Sequence, residues 1–277
     1  MAQHDSSNSS TIPRYERKYL IPSHCPSYLD TLIKLHPAFF HEIYHERVIN
    51  NIYFDNNQLQ SYFDNLNGLG YRLKYRLRWY GKPSSNNQSR SPLTNATTQP
   101  HFEIKKRTGD LISKYVFASD AVYASLKSII PETIHPLFNY QNLPSLANKV
   151  HRDIHHDQSS TNILSLKKIS LLKPILLNSY SRRYYLSQNK KVRVTVDTQI
   201  CYHEVNNNQI NWLHRWKLPA TILEIKADQA HDNEIAQCAK FFPLPLTKSS
   251  KYVLGAMSCV PDIESPLYNI PVRPQLA

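Results

Sequence analysis

Between Tyr71 and Tyr80 the chain alternates without a break. Arg72, Lys74, Arg76 and Arg78 take the even positions, and Tyr71, Leu73, Tyr75, Leu77 and Trp79 the odd ones. Side chains along an extended strand point alternately to opposite faces, so cations line one face here and apolar or aromatic groups the other. An ordinary half-buried strand with a solvated face mixes signs and carries Thr, Ser or Glu. A row of positive charge with no acid in it suggests a surface that holds a polyanion.

The layout recurs. In Lys191–Asp197, Lys191, Arg193, Thr195 and Asp197 share one face and Val192, Val194 and Val196 the other. Glu224 and Lys226 oppose Leu223 and Ile225. Glu103, Lys105 and Arg107 oppose Phe102 and Ile104, although Lys106 spoils the apolar side. Near the N-terminus Glu16 and Lys18 share a face, with Tyr19 and Ile21 opposite. Each could alone be an exposed strand; together, polar faces of Arg, Lys and Glu favour a sheet with an ionic face.

Strand patterns fall at about 14–21, 48–55, 71–81, 101–107, 112–118, 176–187, 190–197, 199–204 and 219–227, and helix patterns at about 25–36, 58–66, 119–129, 139–149, 231–241 and 249–258. Gln188-Asn189 and Asn206-Asn207-Asn208 are turn signals between strands. This mixture predicts an α+β fold around a largely antiparallel sheet. Such a sheet can solvate its charged face, or close into a barrel with a lumen of Arg, Lys and Glu and the helices outside. Residues 1–12 read as a disordered tail, 83–100 as a low-complexity polar loop, and 261–277 as a C-terminal tail.

Composition narrows the chemistry. Only five glycines occur among 277 residues, with no GxxxxGK[ST] or GxGxxG, so any phosphate must be held by side chains. The net charge of +12 favours an anionic partner: nucleic acid, polyphosphate or a membrane surface. Cys25, Cys201, Cys238 and Cys259 form no CxxC pair and read as reduced structural thiols. No apolar run approaches the ~20 residues of a membrane span, and no signal-peptide pattern opens the chain. The expectation is a soluble cytoplasmic protein.

Phosphoryl transfer needs cations on non-bridging oxygens, a divalent metal and in-line positioning. Arg72, Arg76, Arg78 and Arg193 offer planar forks that bind phosphate bidentately, and Lys18, Lys74, Lys105 and Lys226 offer point charges. Glu16, Glu103, Asp197 and Glu224 share those faces and are candidate ligands for a hard ion such as Mg²⁺ or Mn²⁺, or else salt-bridge partners. Glu224 is the strongest metal candidate, being flanked by Leu223 and Ile225. Arg182 shares a face with Tyr180 and Tyr184. In Lys248-Ser249-Ser250-Lys251, Ser249 or Ser250 can cap a helix whose first turn carries Lys251. A cation there opposes the helix dipole unless an anion lies nearby.

Taken together, RYERKYLI at 14–21, YRLKYRLRWYG at 71–81, FEIKKR at 102–107, YSRRYY at 180–185, VRVTVDT at 192–198, LEIKA at 223–227 and KSSKY at 248–252 resemble the VTC domain. This is the polyphosphate polymerase domain of the vacuolar transporter chaperone family, within the triphosphate tunnel (CYTH-like) superfamily. The resemblance runs from about residue 14 to 257, within a tunnel domain expected at 13–260. It implies an eight-stranded antiparallel tunnel barrel that binds ATP and inorganic polyphosphate and uses Mn²⁺ (or Mg²⁺) to transfer the γ-phosphate onto the growing chain. It places Lys18, Arg76, Arg78, Lys105, Arg182, Arg193, Lys248, Ser250 and Lys251 on phosphate-gripping positions, Lys114 less securely by its spacing after Lys105, and Glu224 on the metal position. The superfamily often opens with ExExK; here Arg14 replaces the first acid, leaving Glu16 and Lys18. No SPX-like or transmembrane segment accompanies the domain, which suggests a stand-alone enzyme of prokaryotic type.

Three other readings share parts of this pattern. A tunnel triphosphatase uses most of the same residues, and a non-catalytic polyphosphate-binding module would resemble both. A nucleic-acid binder is disfavoured, because in 71–80 the aromatic groups lie opposite the cations, whereas a stacking platform needs both together. His36, His41 and His45, readable at helical spacing, and the cluster His151, His155 and His156 read as surface or packing residues. No serine stands in a GxSxG setting.

Overall fold

The structure is a computed structural model that describes residues 9–10, 12–22, 26–81, 100–118, 171–263 and 273–277. The helices expected at 119–129 and 139–149, the loop 83–99 and Cys25 lie outside these, as does the histidine cluster at 151–156. The strands are β1 (Ser9–Ser10), β2 (Arg14–Pro22), β3 (His41–Asp55), β4 (Tyr71–Tyr80), β5 (His101–Thr108), β6 (Leu111–Ala118), β7 (Lys173–Leu186), β8 (Val192–Asn206), β9 (Gln209–Lys217), β10 (Ala220–Asp228) and β11 (Gln275–Leu276). The helices are α1 (Pro26–Lys34), α2 (Gln60–Leu66), α3 (Asp232–Lys240) and α4 (Lys251–Cys259).

Eight strands form a closed antiparallel ring in the order β10-β2-β6-β5-β4-β3-β7-β8, with β8 pairing back onto β10. Closure is uneven. β10 and β2 pair along their whole lengths, from Ala220 with Pro22 to Asp228 with Arg14, whereas β2 meets β6 at the single pair Arg14 with Ile112. β9 leaves the ring as a hairpin on β8, turning through Asn207 and Asn208, both at positive φ. Two short strands lie where tails are expected: β1 pairs with β6, and β11 with β9.

The alternation of the sequence is the alternation of the wall. Outward-facing Tyr19, Ile21, Val194, Val196, Leu223 and Ile225 bury themselves against Leu29 and Ile33 of α1 and Ile235 of α3. In β4 the apolar side chains Leu73, Tyr75, Leu77 and Trp79 are buried, and Lys106, out of pattern on β5, lies over the Tyr71 ring at 5.5 Å. The inner face changes character along its length. Toward one end Leu20, Ile49, Tyr53, Tyr180 and Ile222 form an apolar cluster with Tyr62 of α2 and Tyr252, Val253 and Ala256 of α4. Toward the other end it is ionic.

Asp55, at the end of β3, fastens those two helices. Its carboxylate accepts the Ser61 and Tyr62 N–H groups at 3.0 Å each, serving the start of α2, and the Tyr252 hydroxyl at 2.6 Å. Two expectations change in extent. β3 begins at His41, not near 48, so His41 and His45 sit on a strand rather than a helix. The segments expected as 190–197 and 199–204 are one strand, whose pairing with β7 shifts between Ser179 and Ser181 beside Gln199 at φ 52°. His36 is a packing residue: it is buried, its Nε2 lies 3.0 Å from the Cys238 carbonyl and its Nδ1 accepts the Ala38 N–H.

Gly255 of α4 sits against the buried Tyr202 ring, where an added Cβ would lie 2.4 Å from one ring carbon and 2.7 Å from the next. Replacing a mid-helix Gly by Ala ordinarily gains up to about 1 kcal/mol, while overpacking a rigid core costs about 1–3 kcal/mol. The second effect wins because a ring held in the core cannot swing aside. Gly255→Ala is expected to lower stability by about 1–2 kcal/mol in urea denaturation; unchanged or raised stability would show that α4 is not pressed onto β8.

Candidate functional site

The ionic part of the inner face encloses a cavity of about 340 Å³. Its wall is contributed strand by strand. β2 supplies Glu16 and Lys18; β4 supplies Lys74, Arg76 and Arg78; β5 and β6 supply Lys105 and Lys114. Across the ring β7 supplies Arg182, β8 Arg193 and Thr195, and β10 Glu224 and Lys226, while Ser250 and Lys251 enter from the start of α4. Lys248 is set apart. It lines an adjoining opening of about 450 Å³ with Arg72 and Arg107, and the two spaces share Glu16, Lys18, Lys74, Lys105 and Ser250.

The carboxylates are nodes between cations. Glu103, 1% exposed, lies behind the cavity wall, where it accepts from Arg76 Nε at 2.7 Å and pairs with Lys114 at 3.3 Å, His101 at 3.0 Å and Arg78 at 3.8 Å. Asp197, fully buried, accepts two bonds from the Arg182 fork at 2.5 and 2.7 Å and pairs with Lys251. Glu224 meets Lys226 at 2.6 Å, Lys18 at 2.9 Å, Lys251 at 3.7 Å and Arg182 at 3.8 Å. Glu16 meets Lys105 at 2.8 Å and Arg14 at 3.4 Å. Burial pushes all four carboxyl groups upward, but the surrounding cations prevail and hold each below its ordinary range.

The lysines divide. Lys18 is held up by Glu224 and Glu16 against the pull of burial. Lys105 is brought down to about 7 by burial, with Lys18 adding to the effect and Glu16 opposing it. Burial and the neighbours Lys18 and Lys105 hold Lys74 well below its usual value, and burial lowers Lys226 and Lys114. Cations crowd here beyond what their acids neutralise.

Ser250 is the N-cap of α4, accepting the Val253 N–H at 3.4 Å and the Lys74 ammonium at 2.9 Å. Lys251 follows in the first helical turn, a position the helix dipole disfavours for a cation. The buried carboxylates of Asp197 and Glu224 hold it there.

No group of three or more His, Cys, Asp or Glu side chains suited to a metal occurs among the described residues. The donors do fit a hard ion completed by substrate. Mg²⁺-like ions commonly take one or two protein carboxylates and fill the remaining positions with phosphate oxygens and water. Glu224 opens on the cavity, and on the same wall the Glu16 Oε1 is buried without a hydrogen-bond partner. Glu103, by contrast, is wholly engaged by Arg76, Arg78, Lys114 and His101.

Several lining residues are not offered as site residues by the sequence: Tyr53, Tyr80 and Lys190, together with Tyr184 and Lys191, which it shows only as sharing a face with Arg182 and Arg193, respectively. Parity alone places Tyr80 on the cationic face of β4, and a basic pair beside a hairpin turn marks a rim. Tyr53 carried no such signal, because β3 has no charge alternation at that end.

A family model for the VTC domain matches residues 13–260. Among solved structures, the chain is similar to a candidate adenylate cyclase (bh2851) from Bacillus halodurans at 14% identity, covering 87% of this chain and 95% of that one, with a TM-score of 0.46. It is similar to the PH1819 protein of Pyrococcus horikoshii at 10% identity, covering 88% and 97%, with a TM-score of 0.39. A third, the Hippeastrum protein HpAC1, described with a dominant triphosphatase activity, matches at 10% identity over 88% and 96%, with a TM-score of 0.42. Likenesses this distant bear no weight for activity. No helix among the described residues is long and apolar enough to cross a membrane. With its closed antiparallel ring, its basic lumen and a family match over nearly the whole length, the chain belongs to the VTC domain family.

Proposed function

We propose that this protein is a cytoplasmic, metal-dependent ATP:polyphosphate phosphotransferase that lengthens inorganic polyphosphate with the γ-phosphate of ATP. One observation carries the reading: among the described residues thirteen basic side chains line the cavity against three acidic ones, Glu16, Glu224 and Asp228. Counting Glu103 and Asp197 behind the wall still leaves a large excess of positive charge. The charge is arrayed along a lumen, as suits a chain of phosphates, and side chains supply it where glycine-rich loops are lacking.

In this reading Arg76, Arg78, Arg182 and Arg193 grip non-bridging oxygens, and Lys18, Lys74, Lys105, Lys114, Lys226, Lys248 and Lys251 neutralise the nucleotide and polymer phosphates. Ser250 orients Lys74 beside them. A terminal oxygen of the acceptor chain forms a bond to the γ-phosphorus as the bond from that phosphorus to the β–γ bridging oxygen breaks, and ADP leaves with the electron pair. Catalysis is positioning plus stabilisation of charge spreading over the equatorial oxygens. Mn²⁺ or Mg²⁺ would be held by Glu224, with Glu16 on the neighbouring strand, whose Oε1 has the Arg14 ion pair at 3.4 Å but no hydrogen bond, and would neutralise charge on the reacting phosphates.

Purified protein incubated with ATP and Mn²⁺ is expected to yield a ladder of polyphosphate on a gel with ADP in step. Orthophosphate alone would replace this reading with a triphosphatase, and neither product would leave a binding module. Glu224→Gln is expected to lose turnover while still binding tripolyphosphate; full activity would sink its assignment to the metal. Arg193, at the exposed rim of the wall, can be removed without stranding a buried acid. Arg193→Ala should therefore cost about 2–4 kcal/mol in kcat/KM with little change in stability, by analogy with a lost oxyanion donor. Unaltered kinetics would place the phosphates elsewhere.

The depressed lysines set a pH signature. With Lys105 near 7 in the empty lumen, its neutral form dominates at pH 8, and an arriving polyanion favours the charged form. Triphosphate binding at pH 8 is therefore expected to take up protons, and at pH 6 less so because Lys105 is already charged. Calorimetry in buffers of differing ionisation enthalpy reads this directly; heats independent of buffer at pH 8 would contradict it. The linked stability effect has the same origin. Between about pH 7 and 10.5 the unfolded chain binds more protons at this lysine than the fold does, so the ligand-free fold gains stability from it as pH rises.

A further inference from the structure

At the rim of the lumen three tyrosines gather round one arginine. The Arg47 guanidinium lies 4.5 Å from the centre of the Tyr44 ring, 5.7 Å from that of Tyr184 and 6.0 Å from that of Tyr80. Tyr44 meets Tyr184 edge-on, at 5.6 Å and 89°. Tyr80 and Tyr184 line the cavity itself. In a regular strand Tyr44 and Arg47, three residues apart, would point to opposite faces. Here the pairing shifts between them: Tyr44 lies opposite Tyr184 and Arg47 opposite Arg182, so three steps on β3 match two on β7. This bulge turns both side chains to the face that carries Arg182.

The cluster is made as a binding surface would be. Half of the Tyr44 surface is exposed, so the ring is not committed to the core. Among the described residues no carboxylate pairs with Arg47, whereas Arg183, one strand away on the outer face, has Asp30 at 2.7 Å. Tyr184 is two residues along β7 from Arg182, about 7 Å at strand rise. A ligand whose phosphates reach Arg182 would leave its other end among these rings.

We infer that Tyr44, Arg47, Tyr80 and Tyr184 form a stacking platform for the nucleobase of a nucleoside triphosphate, at the mouth of the phosphate-binding lumen. The inference rests on the proposed phosphate-handling role of that lumen but does not depend on which product it makes. The base packs on the open face of Tyr44, and Arg47 beneath fixes the ring and adds positive charge on the nucleoside side of the phosphates. Stacking on an aromatic face is tolerant of base identity, since every base has a π-face. The platform would thus separate nucleoside triphosphates from inorganic triphosphate without choosing among bases.

The test compares non-hydrolysable ATP and GTP analogues with tripolyphosphate by calorimetric titration of the full chain. Tyr44→Ala is expected to weaken both nucleotide analogues about tenfold, and alike, while changing tripolyphosphate affinity less than twofold. Tyr44→Phe, which keeps the ring, should recover most of the loss. Because Tyr44 is half exposed, the alanine variant is expected to fold, and its retained tripolyphosphate affinity would confirm it. Equal loss for nucleotide and tripolyphosphate, or no loss for either, would overturn the inference. Failure of the polymerase reading shows separately, as absence of polymer, and leaves this comparison standing.

Discussion

Positive charge confined beyond what its own acids can neutralise is the condition from which the rest of this molecule follows. Removing ions from water is costly unless they are paired, and an unpaired buried charge is costlier still. The wall answers in part with Glu16, Glu103, Asp197 and Glu224, each set among two or more cations. It answers in part by letting Lys105, Lys74, Lys226 and Lys114 slip toward neutrality. What remains is a standing demand for an anion. Anything that binds the folded state and not the unfolded one stabilises it by mass action, so the lumen's substrate is also part of its structural support.

The demand can be borne because the other faces are conventional. Outside, valines, leucines and isoleucines bury against α1 and α3. Inside, the apolar end is closed by α4, which comes close enough to β8 that its Gly255 carries no side chain. The same helix delivers Ser250 and Lys251 to the ionic end. Packing and chemistry are thus joined through one short element, and Asp55 holds it from the far side through Tyr252. A change in the apolar plug would be felt at the phosphates through movement of Lys251.

How much of this was legible in the sequence follows from period. Where a strand is regular, parity assigns faces: Arg76, Arg78, Lys105, Glu224 and Lys226 could be placed together before any coordinates, as could the outward Val192, Val194 and Val196. Where a strand is irregular, parity fails. The first half of β3 is polar on both sides and carries two shifts of register, so neither its length nor the meeting of Tyr44 with Arg47 could be read. The break at Gln199 made one strand look like two. Which carboxylates face the cavity and which lie behind it was also hidden, because Glu103 and Glu224 each lie on the charged face of their strand and each meet several basic side chains, yet only Glu224 lines the cavity. The ring departs from the closed barrel that the pattern suggests at the thin junction of β2 with β6, and β9 leaves it as a hairpin on β8.

That junction bears on how the molecule comes to exist. β2 is the first long strand to be made, yet its continuous partner is β10, about 200 residues later in the chain. At ribosomal rates of 5–20 residues per second this is a wait of roughly 10–40 s. Meanwhile, among the described residues that precede β7, β6 offers it one pair. Contacts so distant in sequence are slow to form because the intervening loop must be closed first. Until β10 is made the sheet therefore stays open along the edge of β2, and it becomes a tunnel only when Ala220–Asp228 joins β2 to β8.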